Sequence, residues 1–197
     1  MAKRTPRSSS VERRILDAAV GLFAERGFDG TSVQEIVTSA AVTKGALYHY
    51  FDSKHDLLYE IYHSLIARQL ADLDRVVAAG LPPRDTVRAI LTELINSTAE
   101  HIDEAKVFAR ESHRLDDERM HVLRGDRRRY HVTFRRIVAD AQRDGAFSAV
   151  TSPDTVTIVA LGMVNQMPGW YRADGPKTAP ELAAEVTAFV LAALEPR

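Results

Sequence analysis

Residues 32–51 decide the fold and read SVQEIVTSAAVTKGALYHYF. Ser32 is followed three residues later by Glu35, which is the signature of a capping box at the start of a helix. After the small residues at 39–41, Thr43 is a second N-cap candidate. Both segments carry apolar side chains at three- and four-residue spacing. We therefore predict two short helices, 33–40 and 44–50, joined by a tight turn.

Two short helices joined this closely form a helix-turn-helix, whose second helix enters the major groove of DNA. Thr43 and the free amides at that helix N-terminus can hold a phosphate, and Lys44 can reach a phosphate or a guanine edge. Tyr48 and His49 offer donors on aromatic frames, while Lys54 begins the next helix, where it can clamp the DNA backbone. The predicted DNA-contacting residues are Thr31, Ser32, Thr43, Lys44, Tyr48, His49 and Lys54.

The aromatic residues of this segment also fit an interpretation as core side chains. That is the better interpretation for Tyr50 and Phe51, which would close the second helix onto its neighbours. The polar ends of Tyr48 and Lys44 favour the surface that faces DNA. His49 fits a solvated surface position equally well.

The charge of the chain is uneven. The formal net charge is -1, and sequence-independent binding to nucleic acid requires a strong basic excess, so any DNA contact is expected to be local. Glu12 is the only acidic residue in the first fourteen, where the basic residues are Lys3, Arg4, Arg7, Arg13 and Arg14. We expect residues 1–9 to be a flexible basic arm. A minor-groove role and a solvated tail are equal alternatives for it.

The rest of the chain repeats the helical spacing and shows no alternating run bounded by hairpin turns, which predicts an all-α fold. Glycines such as Gly27 and N-caps such as Ser152 mark the helix ends. We expect about nine helices, arranged as a helix-turn-helix head at 10–53 and a larger body for ligand binding and dimerisation at 54–197. The approximate helices are 10–27, 33–40, 44–50, 54–79, 84–101, 105–114, 118–143, 153–170 and 180–194.

Several classes of protein find no support in the sequence. The chain has no cysteine, which excludes disulfides, a thiol nucleophile and a cysteine zinc site. It has no Gly-rich phosphate loop, Gly-x-Ser-x-Gly elbow or His-Glu-x-x-His pair, so we expect neither an enzyme nor a cofactor. The longest apolar run, 158–164, is too short to span a bilayer, and no signal peptide is visible, which predicts a cytoplasmic protein. A helical dimeric adaptor without DNA binding is the alternative.

Several short stretches of the sequence occur in an order and at a spacing that are characteristic of a known family. They are FAERGF at 23–28, TSV at 31–33, Ile36, VTKGALYHYF at 42–51, Ser53-Lys54 and Leu57-Leu58. Over roughly residues 10–58 this series resembles the DNA-binding head of the TetR family of repressors. The resemblance implies a repressor that a small molecule releases from a palindromic operator. One departure is Ala41, where the family usually has glycine; a positive φ there would cost alanine roughly 1 kcal/mol.

A dimer is expected because one small module reads few base pairs, whereas two half-sites about 34 Å apart, or a multiple of that, add specificity. The resemblance implies that the last two long helices form the interface. An interpretation of the same apolar stripes as ordinary monomer core explains about half of the positions. The predicted interface residues are Val156, Ala160, Val164, Leu182, Val186, Phe189 and Val190.

The resemblance also implies an effector cavity in the body. Apolar walls with a few polar anchors suit a small-molecule site. Pro168 is expected to open space beside the cavity, because proline removes a helical hydrogen bond. Each residue taken alone also fits ordinary core packing. The predicted cavity residues are Leu91, Ile95, Phe108, Tyr130, Phe134, Met163, Met167 and Trp170.

Two segments point to a class of effector. Residues 108–115 and 169–176 are similar to segments of TetR-like regulators of fatty-acid and sterol breakdown, which respond to acyl-CoA thioesters. The phosphates of CoA need cations. A drug-like apolar effector of an efflux regulator is the alternative, and a solvated face paired with Asp116, Asp117, Glu118 and Asp126 explains the cations as well. The basic stretch comprises Arg124, Arg127, Arg128, Arg129, Arg135 and Arg136.

Overall fold

The computed structural model describes residues 6–195, with side chains from residue 10 onward. These residues form helices joined by turns and loops, which confirms the predicted all-α fold class. The helices are α1 Pro6–Arg26, α2 Val33–Ser39, α3 Lys44–Tyr50, α4 Lys54–Ala78, α5 Pro83–Glu100, α6 Ile102–Glu111, α7 Asp117–Arg143, α8 Pro153–Asn165, α9 Met167–Trp170 and α10 Ala179–Ala192. A single 3-10 turn, Ser112–Arg114, lies between α6 and α7.

Two differences from the predicted helix boundaries involve a proline, and the other boundaries that differ are shifted by one to three residues. Helix α1 begins at Pro6 and not near Ser10, because proline is well tolerated at the first helical position, where no donor is needed. Residues 1–5 of the predicted basic arm lie outside the described residues. The predicted helix 153–170 is divided into α8 and α9, because Pro168 has no N–H to donate to the carbonyl of Val164.

The chain separates into two compact units. Unit 1 contains residues up to Leu65 together with Asp103–His121, and unit 2 contains Ile66–Ile102 and the chain from Val122 onward. Unit 1 is therefore larger than the predicted 10–53 head, because it includes the first part of α4, all but the first residue of α6, and the start of α7.

The core of unit 1 forms where α1 packs against the two short helices. Its fully buried side chains come from each of these helices and from the start of α4, at the three- and four-residue spacing that places them on one helix face. Tyr62 and Phe108 stack with ring centroids 3.4 Å apart. The largest fully buried core residues of this unit are Ile15, Phe23, Ile36, Leu47, Leu57 and Leu58.

The core of unit 2 is built mainly on α5, which packs along α10 and also contacts α8. Arg84 at the start of α5 pairs with Glu195 just beyond α10, at 3.0 Å, so the two helices run antiparallel. The largest fully buried side chains of this unit are Leu73, Ile90, Leu91, Leu123, Phe134 and Ile95. Among the described residues, no helix has both the length and the apolar character needed to cross a membrane.

Candidate DNA-binding surface and effector region

The capping box predicted at the start of α2 is present. The Ser32 hydroxyl accepts a hydrogen bond from the Glu35 backbone N–H at 3.2 Å, and the Ser32 backbone N–H donates to the Glu35 carboxylate at 2.8 Å. The backbone N–H and the hydroxyl of Ser32 hold the pKa of the Glu35 carboxyl below its ordinary value, with a smaller contribution from Arg26. The Ser32 side chain therefore fixes where α2 begins.

The turn after α2 is a Schellman motif. The Val42 N–H donates to the Val37 carbonyl at 2.9 Å and the Ala41 N–H donates to the Thr38 carbonyl at 3.1 Å, which is the pair of bonds that defines this helix ending. Ala41, which donates the second of these two bonds, has φ 50°. Residue 41 therefore has the positive φ that favours glycine. Alanine carries there a strain of roughly 1 kcal/mol that glycine would not.

Helix α3 places three of the predicted DNA-contacting side chains on the surface. Thr43 is its N-cap and accepts from the Ala46 N–H at 3.1 Å. Lys44, Tyr48 and His49 are exposed, with 51% of Tyr48 accessible. On the opposite side of the helix, Leu47 is fully buried. Because residues four apart share a helix face, Lys44 and Tyr48 form one polar surface.

The predicted DNA-contacting residue Thr31 does not lie on the exposed surface. Thr31 is only 1% exposed, and its hydroxyl donates to the carbonyls of Gly27 at 2.9 Å and Leu22 at 3.2 Å. A buried hydroxyl needs such partners because it has lost its water. Thr31 therefore ties the loop before α2 to the end of α1.

Lys54 also differs from its predicted role. Its ammonium donates to the carbonyls of Phe28 at 2.6 Å and Thr31 at 2.9 Å, and it lies 4.2 Å from the centroid of the Phe28 ring. Two of its three donors are thus occupied within the protein. The side chain holds the 28–31 loop against the start of α4, and it is not directed outward as a DNA clamp.

Sequence reasoning missed the contacts that α6 and the start of α7 make within unit 1. Glu111 is 6% exposed, and its carboxylate accepts from the Phe28 N–H at 3.3 Å and from Arg110 at 2.9 Å. Arg110 also donates to the carbonyls of Phe23 and Ala24 at the end of α1.

A second ion-pair group reaches from α7 to α4. Arg119 pairs with Asp56 at the start of α4 and with Asp116, and its backbone N–H holds the pKa of Asp116 below its ordinary value. Arg114, just before α7, pairs with Asp29 of the loop before α2. No short sequence pattern predicts the pairs with Asp56 and Asp29, because these partners lie far from Arg119 and Arg114 along the chain.

Two family models cover most of the chain. Residues 15–61 match the bacterial regulatory proteins of the tetR family, and residues 80–194 match the tetracyclin repressor-like C-terminal domain. The chain belongs to the TetR family. Members of this family are DNA-binding regulators.

Several individual proteins are similar to this chain over nearly its full length. The transcriptional repressor KstR2 of Rhodococcus jostii (strain RHA1) is 26% identical over 191 residues, 96% of this chain and 94% of that protein. The TetR-family regulator PfmR of Thermus thermophilus has 28% identity and a TM-score of 0.84, covering 93% of this chain and 100% of that chain. AibR, solved with isovaleryl coenzyme A and operator DNA, has 25% identity and a TM-score of 0.77, covering 91% and 97%.

The residues predicted to line an effector cavity fall in separate places. Phe108 belongs to unit 1 and the other seven to unit 2. Within unit 2, five are buried, and Met163 and Trp170 line an open groove of about 640 Å³ together with Ile158, Val159, Gly162, Gln166 and Val186. The buried five are Leu91, Ile95, Tyr130, Phe134 and Met167.

Tyr130 lies in a crevice too narrow for a water molecule, beside Asp72, Glu93 and Leu94. Burial raises the pKa of the Tyr130 phenol above its ordinary range, and the negative charges of Asp72 and Glu93 add to the increase. Arg75 pairs with both carboxylates, at 3.0 Å and 3.3 Å. The surroundings of Tyr130 are therefore those of a packed core.

The predicted dimer residues divide into two groups. Val156, Ala160, Val164 and Val190 are buried by their own chain, so for them the interpretation as monomer core holds. Leu182 and Val186 are half-buried, and Phe189 is 64% exposed. Ile158 and Val159 on α8 are exposed to 66% and 45%. We call Ile158, Val159, Val186 and Phe189, with Trp170, the apolar face of unit 2.

The basic stretch of α7 is partly neutralised within unit 2. Arg129 pairs with Asp74 at 2.6 Å, and Arg135 pairs with Asp154 at 2.6 Å. These partners differ from the acidic residues that the sequence suggested. Arg124, Arg128 and Arg136 are exposed along the same helix, four and eight residues apart.

Proposed function

We propose that the chain is a homodimeric repressor that binds a palindromic operator through α3 and is released from it by an acyl-CoA thioester. The observation that carries the DNA-binding part is the polar surface of α3. Lys44, Tyr48 and His49 are held outward by a capped helix whose other side, at Leu47, is fully buried. Such a surface offers phosphate and base-edge contacts without rearrangement.

The apolar face of unit 2 supports the dimer. Exposed side chains as large as Ile158 and Phe189 are rarely grouped on a monomeric protein without a partner. A second copy that packs its own apolar face against the first would cover both sets, as a two-fold interface requires. It would also fix the distance between two α3 helices, which operator recognition needs.

The groove on this face supports an effector that is largely apolar. Its volume of about 640 Å³ is in the ordinary range of small-molecule sites. Six of its seven lining residues are apolar or glycine, and Gln166 supplies an amide. Met163 and Trp170, both predicted effector residues, share the groove with Val186, a predicted dimer residue. An effector bound there would meet both copies, and it would alter how they pack.

Contacts within unit 1 connect α6 and α7 to the helix-turn-helix. Glu111 and Arg110 connect α6 to the end of α1, and Arg119 connects α7 to α4. A ligand that shifts α4 or α7 therefore displaces the base of the helix-turn-helix. Two half-sites can no longer be contacted together when the heads change their separation.

A mobility-shift titration tests the effector. The probe is the tightest duplex that the protein selects from a random-sequence library, and the ligands are palmitoyl-CoA, a steroid-carboxyl CoA thioester, the two free acids and CoA itself. At least one thioester is expected to dissociate the protein from the duplex, while the free acids and CoA leave the protein–DNA complex intact. Complexes that survive saturating thioester would overturn the proposal. Equal thioester affinity for free and DNA-bound protein would also contradict it, because coupling is reciprocal.

A further inference from the structure

Arg14 on α1 reaches the turn of the helix-turn-helix. Its Nε donates to the Ala40 carbonyl at 3.1 Å, and its Nη2 donates to the Ala41 carbonyl at 2.6 Å. Both acceptors lie where α2 ends and the chain turns toward α3. One guanidinium thus bridges the two consecutive carbonyls of this turn.

Among the described residues, no backbone N–H donates to either of these carbonyls. The Schellman bonds satisfy Val37 and Thr38, but the last carbonyls of a helix have no partner within it. Arg14 supplies that partner from another helix. Its positive charge also lies at the negative end of the α2 dipole, where a cation is stabilising.

The contact matters because the turn contains no glycine. Ala41 holds φ 50°, a conformation that favours glycine, so bonds from outside the turn must help to maintain it. Two residues later, Thr43 caps α3 and sets the direction of the surface that carries Lys44 and Tyr48. Any relaxation of the backbone at Ala41 would therefore redirect α3.

We propose that Arg14 is a positioning residue for DNA binding, which holds the alanine-containing turn in its left-handed conformation and thereby orients α3. This inference rests on the proposed DNA-binding function. It differs from a direct contact between Arg14 and a phosphate, because here the guanidinium acts through the turn.

The test is a double-mutant cycle with the variants R14A, A41G and R14A/A41G, and with R13A as matched control. Arg13 is an exposed neighbour on α1, and its replacement removes the same charge. Operator affinity is measured at several salt concentrations with the duplex that the wild type selects from a random library. R14A is expected to weaken binding about tenfold without changing the salt dependence. A41G restores most of that loss, because glycine does not need the clamp.

Two results would overturn the inference. If A41G leaves the affinity of R14A unchanged, the guanidinium does not act through the turn. If R14A lowers the slope of log K against log salt by about one, as direct phosphate neutralisation does, Arg14 is a DNA contact. R14K, which keeps the charge but not the planar fork, is expected to bind DNA with an affinity between those of R14A and the wild type. When A41G is made in the R13A background, it is expected to change the affinity by the same factor as it does in the wild type.

Thermal unfolding of the same variants separates this inference from the proposed function. R14A is expected to lower the unfolding midpoint by roughly 4 °C, and A41G to raise it more in the R14A background than in the wild type. Equal effects of A41G in both backgrounds would contradict the coupling. If the wild type selects no duplex at all, the DNA-binding proposal fails while the unfolding cycle still tests the clamp.

Discussion

Helix α3 and the apolar face of unit 2 are both exposed, but they carry opposite chemistry. On α3 the outward side chains end in an ammonium, a phenol and an imidazole, from Lys44, Tyr48 and His49. On unit 2 the outward side chains are Ile158, Val159 and Phe189, which have no polar atoms. Water satisfies the first surface and not the second.

This difference indicates what each surface needs from a partner. The α3 surface is complete in one chain, and it exchanges hydration for contacts with phosphates and bases. The apolar face gains free energy only when another apolar surface covers it, at about 25 cal/mol per Å² of apolar area removed from water. The comparison therefore separates a surface that recognises DNA from one that assembles the protein.

The double variant K44A/Y48A tests the first half of the comparison. We expect operator binding to fall at least about a hundredfold, because base and phosphate contacts are worth roughly 1–3 kcal/mol each and both half-sites are affected. Sedimentation should show the wild-type oligomeric state. K177A, which removes an exposed lysine from unit 2, serves as control. An unchanged mobility shift would favour the alternative of a dimeric adaptor that does not bind DNA.

The variant F189D tests the second half. Burying an unpaired carboxylate in an apolar interface is costly, so the dimer dissociation constant should rise by roughly a hundredfold or more. Sedimentation velocity over a concentration series measures the change. Trp170 is the only tryptophan of the chain, and it lines the groove on the apolar face of unit 2. Its fluorescence emission should therefore shift to longer wavelength when the dimer dissociates.

V150D is the matched control for F189D. Val150 is 75% exposed and lies outside the apolar face, so a carboxylate there should leave the dimer intact. If F189D and V150D have the same association constant, the apolar face is not the interface.

The head could be predicted closely because its signals are local. Three features depend on atoms within a few residues of one another, where chain geometry leaves few alternatives. They are the capping box of Ser32 and Glu35, the N-cap Thr43 and the positive φ of Ala41. The same reasoning did not predict the surroundings of Thr31 and Lys54. Their position in the motif suggests DNA contacts, but their burial and their carbonyl partners depend on how the 28–31 loop folds back.

The body was harder to predict because a helical period identifies a face but not what covers it. Val156, Ala160 and Val164 follow the spacing of an interface stripe, yet their own chain buries them. Two contacts within unit 1 were equally hard to predict, because Glu111 and Phe28 are 83 positions apart and Arg14 and Ala40 are 26 apart. Neither leaves a mark in a short window of sequence.

The pH dependence of stability gives a sharper view of the interior of unit 2. Burial raises the pKa of the Tyr130 phenol in the folded protein. The ordinary pKa of tyrosine is about 10, so when the pH rises above that value the phenol of the unfolded state loses its proton first. Stability from this group is therefore complete below pH 10 and is lost above it, by at most about 1.4 kcal/mol per pH unit. Chemical denaturation of wild type and Y130F between pH 8 and about 11 should show a steeper decline in the wild type. Parallel declines would mean that the phenol ionises freely in the folded protein.

The smallest expected effect distinguishes the buried side of the head from its DNA surface. Thr31 and Thr38 both donate a hydroxyl to a backbone carbonyl, at 2.9 Å and 2.8 Å, but Thr31 is buried and Thr38 is exposed. T31V should lower the free energy of unfolding by about 1 kcal/mol, because the part-buried carbonyls of Gly27 and Leu22 lose this shared donor. T38V should change it by less than about 0.5 kcal/mol, since water replaces the hydroxyl. Operator affinity, measured where both variants are fully folded, should stay near wild type for T31V. A large loss of affinity without loss of stability would restore Thr31 to the DNA surface and would contradict the division between buried and exposed sides of the head.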